Sequence, residues 1–145
     1  GGRRAAIAAL FRVDEASGKE RVLFIRRAQR HGDPWSGNVA LPGGCCDGGE
    51  TDEATAARET LEEVGVDVQD GSWRPLGRLC DDRRVAVGRG LVLAMFGFES
   101  TTSKAPTLQL STEEVATAWW VDVDALDASR VESRLVPLDQ CGRGR

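Results

Sequence analysis

Runs of apolar residues divide the chain into short predicted strands on either side of one helical segment. Residues 5–13 and 21–27 are mostly apolar, and residues 14–18 between them have turn chemistry, so these segments predict a β-hairpin. A polar loop at residues 28–38 then leads to a short predicted strand at residues 39–41, which is followed by a Pro-Gly-Gly turn.

The second half of the chain predicts further strands and one short helix. Strands are expected at residues 74–80, 90–98 and 119–121, with a charged turn at residues 81–89, and the short helix is expected at residues 123–129. Several strands with one major helix and one late helix are typical of a sheet packed between helices. We therefore expect an α/β fold, an α/β/α sandwich with a mixed β-sheet between helices, in a single domain over residues 1–145.

Residues 53–64 predict the major helix. They are rich in good helix formers, Thr51 or Asp52 is placed to cap the first turn, and Gly65 is placed to end the helix in a left-handed conformation. At about 100° per residue, four apolar side chains fall within an arc of about 80°. These are Ala54, Ala57, Leu61 and Val64. We expect this stripe to pack on the sheet.

Three glutamates occupy the other side of the same helix. Glu59, Glu62 and Glu63 fall within an arc of roughly 100°, so the pattern predicts that their carboxylates face outward together. Glutamates three or four residues apart repel by about 0.2–0.5 kcal/mol per pair, and the single neighbouring Arg58 cannot neutralise three of them. A Mg²⁺ ion would offset the repulsion because it prefers carboxylate, carbonyl and water oxygens. A solvated acidic surface is the alternative interpretation.

Composition and charge exclude several classes of protein. The chain has 145 residues, of which 41% are hydrophobic and 29% charged, as is typical of a globular domain. Its net charge of −4 argues against a general nucleic-acid-binding protein. No apolar run approaches the roughly 20 residues that cross a membrane. We therefore expect neither nucleic acid nor a membrane as a partner, and the sequence predicts no oligomeric state.

The cysteines bear on the cellular compartment. Cys45, Cys46, Cys80 and Cys141 have no zinc-ligand spacing, so free thiols in a reducing environment are expected. We therefore expect an intracellular protein, in the cytoplasm or, because the chain lacks an initiating Met and a targeting segment could precede it, in an organelle.

Residues 44–66 carry glycine, glutamate and arginine at fixed spacings. The defined positions are Gly44, Glu50, Arg58, Glu59, Glu62, Glu63, Gly65 and Val66. This spacing resembles the Nudix box, a signature of hydrolases that act on nucleoside diphosphates linked to another group. Eight of nine defined positions match, and the departure is Thr60, where an aliphatic residue is usual. The resemblance implies the Nudix fold and Mg²⁺- or Mn²⁺-dependent hydrolysis of a small-molecule diphosphate.

The resemblance also implies roles for the residues of this signature. Glu59, Glu62 and Glu63 are the implied metal ligands, one of them also serving as a candidate base, and the backbone carbonyl of Gly44 is a further implied ligand. Glu50 and Arg58 complete the implied catalytic set by supporting the helix. Arg58 is expected to pair with Glu50 rather than to contact substrate.

A further carboxylate is implied outside the signature. Some members of the family recruit an additional acid from a late loop, and Glu114, preceded by Glu113, lies in about that place. We therefore include Glu114 among the candidate substrate-site residues. A helix cap or a surface acid pair is the alternative interpretation.

The segment before the signature bears on the substrate. VLFIRR at residues 22–27 and SGNVALPGG at residues 36–44 together resemble the upstream motif of coenzyme A pyrophosphatases, which implies coenzyme A or an acyl-CoA as substrate. The segment departs from that motif at Phe24, where Thr is usual, and in a longer spacing between arginine and glycine. Arg26 and Arg27 are candidate phosphate contacts, and because side chains alternate along a strand only one of them can face the substrate. A basic strand edge is the alternative.

Other substrates and activities are alternatives. ADP-ribose, NADH and nucleoside triphosphates would suit the same kind of enzyme, whereas the absence of tyrosine argues against dinucleoside polyphosphates. A Nudix-fold module that binds a nucleotide without hydrolysing it is an alternative from another class, although such modules usually lose the glutamates that this sequence retains. A prenyl diphosphate isomerase is a further alternative, suggested by Cys45 and Cys46 but not by the residues that flank them.

Overall fold

The strands of the protein form one mixed sheet. The computed structural model describes residues 3–85 and 90–126. The strands are β1 (Arg3–Val13), β2 (Glu20–Arg27), β3 (Val39–Ala40), β4 (Gly43–Cys45), β5 (Trp73–Arg78), β6 (Arg83–Val85), β7 (Leu91–Ser100) and β8 (Val115–Asp122). β1 and β7 are parallel, and the other pairs are antiparallel. The predicted α/β class, with its mixed sheet, is confirmed.

Two other strands share one edge of β1, and this arrangement makes the sheet fork. β7 pairs with β1 along nearly the whole of the opposite edge. On the shared edge, β2 pairs with residues 11–13 and β4 pairs with residues 5–7. β2 leaves β1 beyond this short hairpin and pairs at its far end with β3, while β8 follows its other edge. A gap therefore opens between β2 and β4.

Some elements differ from the predicted ones. Gly43 and Gly44 were predicted as a turn but lie in β4, because they pair with Ile7 and Ala6 of β1. β6 lies within the predicted charged turn and pairs with β7, and residues 86–89 of that turn are outside the described residues. β8 begins at Val115, earlier than predicted, because its pairing extends along β2.

The described residues contain one α-helix, α1 (Asp52–Val64), and a 3-10 helix at Val123–Leu126. The short helix predicted at residues 123–129 corresponds to this 3-10 turn, and its residues 127–129 lie outside the described part. The second helical layer of the predicted sandwich is therefore not seen in the described chain. Neither of these two helices has the length and apolar character needed to cross a bilayer.

Both ends of α1 follow the sequence prediction. The Thr51 side chain caps the first turn by accepting a hydrogen bond from the amide of Ala54 at 3.1 Å. Gly65 ends the helix with a φ of 73°, and its N–H donates to the Leu61 carbonyl. A Cβ atom at Gly65 would also lie 2.8 Å from Cβ of Gln109, so this position requires glycine for space as well as for conformation.

The face of α1 that packs on the sheet differs from the predicted stripe. Ala57 and Val64 are buried as expected, but Leu61 is 48% exposed. The helix instead buries the polar residues Thr60 and Glu63 beside Ala56. Thr60 donates its hydroxyl hydrogen to the Ala56 carbonyl at 2.7 Å, so its burial leaves no unpaired donor. The periodicity of apolar residues misses this face because it counts every polar residue as solvent-facing.

Two truncations distinguish the observed face from the predicted stripe. Val64→Ala should lower the free energy of unfolding by about 2–3 kcal/mol, because it removes two buried methyl groups and leaves a cavity. Leu61→Ala should change it by less than about 0.5 kcal/mol, because the side chain is half exposed. Urea unfolding measures both values. A larger loss of unfolding free energy for Leu61→Ala than for Val64→Ala would show that Leu61 lies on the packed face, as the sequence predicted.

Candidate active site

A cleft of about 500 Å³ lies at the fork of the sheet. Its lining comes from the N-terminal half of β1, from β3, β4 and β7, and from the flank of α1 that faces β4. Ala5 and Ile7 of β1 and Leu93 of β7 contribute apolar surface, and Glu59 and Glu63 of α1 contribute carboxylates. The cleft is therefore apolar in one part and acidic in another.

Glu63 is the most buried charged group of the cleft. Its side chain is 2% exposed, and Oε1 accepts a hydrogen bond from the backbone N–H of Gly43 at 2.8 Å. Burial raises the pKa of Glu63 to about 7, and the charges of Glu59 and Glu114 act in the same direction, whereas the Gly43 N–H opposes the rise. The helix thus holds one carboxyl group directly against the first residue of β4.

Glu59 lies one helical turn before Glu63 and reaches the same part of the cleft. Its side chain is 16% exposed, and its carboxylate packs against Gly44, where a Cβ atom would lie only 2.6 Å from the carboxylate carbon. Burial raises the pKa of Glu59, and Arg58 opposes this shift. Glycine at position 44 therefore leaves the space that this carboxylate occupies.

Arg58 supports the acidic flank of the helix. Its guanidinium donates to both carboxylate oxygens of Glu50, at 2.8 and 3.1 Å. These bonds, with that from Thr55, lower the pKa of Glu50 to about 2. Arg58 also contacts Glu59 at 3.1 Å. The structure therefore places Arg58 against Glu50, in the supporting position that the sequence suggested for it.

Glu62 does not join the other two glutamates. Its side chain is 51% exposed, its carboxylate lies 3.2 Å from Nη1 of Arg58, and it is not among the residues that line the cleft. The prediction that Glu59, Glu62 and Glu63 face outward together is wrong, because Glu63 is buried and Glu59 is largely so. A helical projection cannot show which of its flanks the neighbouring β4 covers.

Glu114 brings a third carboxylate to the cleft from the loop before β8. The backbone holds it there, because its N–H donates to the Ser111 carbonyl at 3.0 Å and its carbonyl accepts from the Ala28 N–H at 3.0 Å. Its charge contributes to the raised pKa values of both Glu59 and Glu63. Glu114, which is distant in sequence, thus interacts electrostatically with two carboxylates of α1.

Only one of the two candidate arginines of β2 faces the cleft, as the alternation of side chains along a strand requires. Arg27 lines the cleft, and its Nη2 donates to Asp33 at 2.9 Å. Arg26 is exposed, does not line the cleft, and donates to the Gly37 carbonyl at 3.3 Å. Arg30, in the following loop, also lines the cleft. Cationic and anionic groups therefore border the same space.

The chemistry of the acidic part of the cleft fits a divalent metal ion. Within residues 3–85 and 90–126, no three His, Cys, Asp or Glu side chains already stand in a ligating arrangement. The donors of Glu59, Glu63 and Glu114 are nevertheless all carboxylate oxygens, as Mg²⁺ and Mn²⁺ prefer. Glu63 in particular is a buried carboxylate whose pKa burial raises, and a bound cation would compensate for this burial.

Sequence patterns missed several residues of the cleft. Trp35 and Asn38 of the loop before β3 line it, and so does Leu91 at the start of β7. Only Trp35 carries a recognisable signal, since a tryptophan in an otherwise polar loop is unusual. The thiols of Cys45, Cys46 and Cys80 are free as expected, and Cys141 lies outside the described residues.

Comparison with known sequences gives a family match over most of the chain. The family described as NUDIX domain matches residues 2–139. An uncharacterized protein of Schizosaccharomyces pombe is 36% identical over 118 residues, which are 79% of this chain and 35% of that protein. Nudix hydrolase 3 of Caenorhabditis elegans is 31% identical over 122 residues, which are 83% of this chain and 49% of that protein. The chain thus spans half or less of the length of these relatives.

Solved structures share the fold at low sequence identity. A C. elegans Ap4A hydrolase in a binary complex has a TM-score of 0.68 and 20% identity, with 85% of this chain and 82% of that chain covered. The NUDIX domain of Shewanella oneidensis NrtR, complexed with ADP ribose, has a TM-score of 0.63 and 21% identity, with coverages of 87% and 76%. These similarities establish the fold.

The raised pKa of Glu63 predicts that the metal-free protein loses stability as the pH rises. Between about pH 4.5 and 7 the folded protein keeps a proton that the unfolded chain has released. The stabilisation is therefore complete below about pH 4.5 and is lost as the pH passes about 7, a change of roughly 3 kcal/mol.

Urea unfolding in EDTA from about pH 5 to 8 measures this change against Glu63→Gln, which carries no titrating carboxyl group at that position. The variant should be the more stable of the two at about pH 8, and its stability should fall less with pH. Parallel pH profiles for the two proteins would contradict the assignment of the proton to Glu63.

Proposed function

The chain belongs to the NUDIX domain family, and from that premise we propose that it is a divalent-metal-dependent pyrophosphohydrolase of a nucleoside diphosphate derivative. The observation that carries the proposal is that Glu59, Glu63 and Glu114 line one cleft beside β4, together with Arg27. Carboxylates suit a metal ion, and a guanidinium suits the oxygens of a phosphate group. The same space therefore offers ligands for both a metal ion and a diphosphate.

The reaction is the attack of water on one phosphorus of the diphosphate. A new P–O bond forms, the bridging P–O bond breaks, and each product keeps one phosphate. A bound Mg²⁺ or Mn²⁺ would supply charge neutralisation and a more acidic water. Glu59, Glu63 and Glu114 would hold this ion, and the carbonyl of Gly44 is the proposed backbone ligand. Arg27 and Arg30 would orient the phosphate oxygens from the cleft wall.

Glu50, Arg58 and Glu62 contribute indirectly in this proposal. Arg58 keeps Glu59 in place through a contact at 3.1 Å, and Glu50 fixes Arg58 through two hydrogen bonds. Glu62 is half exposed and bound to Arg58, so it would act as an outer ligand through water or as part of the same support. Arg26 lies outside the cleft lining, which leaves Arg27 as the proposed phosphate contact of the pair.

Coenzyme A or an acyl-CoA is the substrate that we propose. The support is the upstream segment of residues 22–44, whose hydrophobic strand, arginines and Gly-x-x-x-Leu-Pro-Gly-Gly run resemble the motif of coenzyme A pyrophosphatases. In the fold, this segment forms β2, the following loop, β3 and β4, and all of these border the cleft. Cleavage at the diphosphate would give 3′,5′-ADP and 4′-phosphopantetheine or its acyl derivative.

ADP-ribose is the second candidate substrate. The observation that favours it is the fold shared with the NrtR domain, which is described in complex with ADP ribose. That likeness has 21% identity and supports ADP-ribose more weakly than the upstream segment supports coenzyme A. Both candidates contain an adenosine diphosphate, so the same cleft chemistry would serve either one.

A substrate panel with product analysis by mass spectrometry tests the proposal. Coenzyme A, ADP-ribose, NADH, dinucleoside polyphosphates and nucleoside triphosphates are each incubated with Mg²⁺, with Mn²⁺ and with EDTA. We expect cleavage at the diphosphate that EDTA abolishes and added metal restores. Full turnover in EDTA would overturn the metal dependence, and tight binding of a nucleotide without any product would overturn the hydrolase activity. A tenfold or larger preference in kcat/KM for ADP-ribose over coenzyme A would overturn the coenzyme A substrate alone.

Separate replacement of Glu63 and Glu62 distinguishes a metal ligand in the cleft from an exposed charge outside its lining. Glu63→Gln should lower kcat by on the order of 10²–10⁴, because it removes a buried ligand charge while keeping the size of the side chain. Glu62→Gln should lower kcat less, because the side chain is half exposed and outside the cleft lining. Steady-state kinetics at saturating Mg²⁺ measures both variants. A larger loss of kcat for Glu62→Gln than for Glu63→Gln would indicate that Glu62, and not Glu63, is the direct metal ligand.

Gly44 of the signature and Gly48 of the loop that follows β4 provide a second matched pair. Gly44→Ala should lower kcat/KM at least about tenfold, because its new methyl group would push the Glu59 carboxylate out of place. Gly48→Ala is the control, since a Cβ atom there meets nothing within 4 Å. Kinetics together with thermal melting measures both variants. An unchanged kcat/KM for Gly44→Ala would show that the position of Glu59 does not limit the reaction.

A further inference from the structure

Trp35 contributes an aromatic surface to the cleft that the hydrolysis of a diphosphate does not require. Its side chain lines the cleft and is 38% exposed. Val39 lines the same cleft and is 56% exposed. Large apolar side chains that stay open to water at the border of a cleft are suited to contact a ligand.

The loop that carries Trp35 is held by hydrogen bonds of its own. The Ser36 hydroxyl accepts from the Arg30 N–H at 2.9 Å and donates to the Arg30 carbonyl at 2.8 Å. The Asn38 N–H donates to the Trp35 carbonyl at 3.1 Å, and the Gly37 N–H donates to the Arg27 carbonyl at 3.1 Å. The backbone around Trp35 is thus fixed on both sides, which lowers the entropic cost of presenting the ring to a ligand.

Asp33 connects the backbone of Trp35 to the proposed phosphate contact. One carboxylate oxygen accepts from Nη2 of Arg27 at 2.9 Å, and the other accepts from the backbone N–H of Trp35 at 2.9 Å. Burial alone would raise the pKa of Asp33, but the Arg27 guanidinium, the backbone N–H of Trp35 and the charge of Arg30 together lower it. A single carboxylate therefore holds both a cation suited to phosphate and the backbone of the residue that carries the aromatic ring.

The remaining wall of the cleft matches an aromatic ring better than a charged group. Ile7, Leu91 and Leu93 line it with Val39, and together they supply aliphatic surface. A flat, weakly polar ring would bury this surface and stack on the indole, whereas a phosphate would lose its hydration there. Ligand recognition in the cleft is thus divided between a charged part and an aromatic part.

We propose that Trp35, whose backbone is held by Asp33, is the stacking platform for the nucleobase of the substrate and so determines specificity for a nucleotide. This inference rests on the proposed function, because it takes the diphosphate to lie between Arg27 and the carboxylates of α1. It assigns to the loop of residues 28–38 the recognition of the base.

Isothermal titration calorimetry with two probes tests the stacking. ADP carries a base and a diphosphate, and inorganic pyrophosphate carries the diphosphate alone; both are titrated in Mg²⁺. Trp35→Ala should weaken ADP binding roughly ten- to a hundredfold, the usual effect of removing a stacked aromatic side chain, and should leave pyrophosphate binding within about twofold. Trp35→Phe should retain most of the ADP affinity because it retains an aromatic face.

Trp119 supplies the matched control. It is 36% exposed, close to the 38% of Trp35. It lies on β8, however, and does not line the cleft. Trp119→Ala should therefore leave the binding of both probes unchanged. Tryptophan fluorescence adds a spectroscopic readout, since ADP should quench the parent protein and Trp119→Phe but should quench Trp35→Phe much less.

Three results would overturn the platform. They are unchanged ADP affinity in Trp35→Ala, equal losses for ADP and pyrophosphate in that variant, and no measurable ADP binding by the parent protein. The two proposals can fail separately. If ADP binding depends on Trp35 but no panel substrate is hydrolysed, the proposed hydrolase activity is wrong and the stacking role of Trp35 stands. If a substrate is hydrolysed but Trp35→Ala binds ADP with unchanged affinity, the hydrolase activity stands and the stacking role is wrong.

Discussion

The contact between the buried carboxyl group of Glu63 and the backbone of β4 is the constraint on which the site depends. A carboxylate that is 2% exposed is unfavourable unless partners compensate for its lost hydration. The Gly43 N–H supplies one partner at 2.8 Å, which requires β4 to lie directly against α1. β4 then occupies the edge of β1 that β2 would otherwise continue along. The cleft opens at the position where the two strands diverge.

Close packing at this contact explains why small residues occur around the charged ones. A Cβ atom at Gly43 would lie 2.4 Å from the Ala6 carbonyl oxygen, and one at Gly44 would meet the Glu59 carboxylate. Thr60, which departs from the usual signature, is fully buried, and its hydroxyl donates a hydrogen bond to the Ala56 carbonyl of the helix backbone. Spacing in this signature thus reflects steric fit to β4 as much as the chemistry of the glutamates.

The cleft combines two kinds of recognition that come from different parts of the chain. α1 and the loop before β8 supply the acidic groups, while the loop of residues 28–38 supplies Trp35. Asp33 bonds to both Arg27 and the Trp35 backbone, so the end of β2 and this loop hold a common geometry. A rigid loop beside a rigid helix is the kind of preorganisation that binding and catalysis both require.

The sequence alone determined the elements with strong local signals. The hairpin of β1 and β2 and the helix with its caps at Thr51 and Gly65 depend on neighbouring or regularly spaced residues, which patterns describe well. The pairing of Arg58 with Glu50 was expected from the family resemblance instead. The spacing of the glutamates also pointed to the family that the comparisons show. These features account for the fold class and for most of the charged residues at the cleft.

Only the tertiary structure decided how the helix and strands are oriented around the site. Sequence periodicity predicted that Leu61 is buried and Glu63 exposed, but the structure shows the opposite. Glu63 packs against β4, where it accepts a hydrogen bond from Gly43, twenty positions earlier in the sequence. The selection of Arg27 over Arg26, the arrival of Glu114 and the position of Trp35 likewise depend on strand pairing and loop closure. Such contacts join residues distant in sequence, and local propensity carries no information about them.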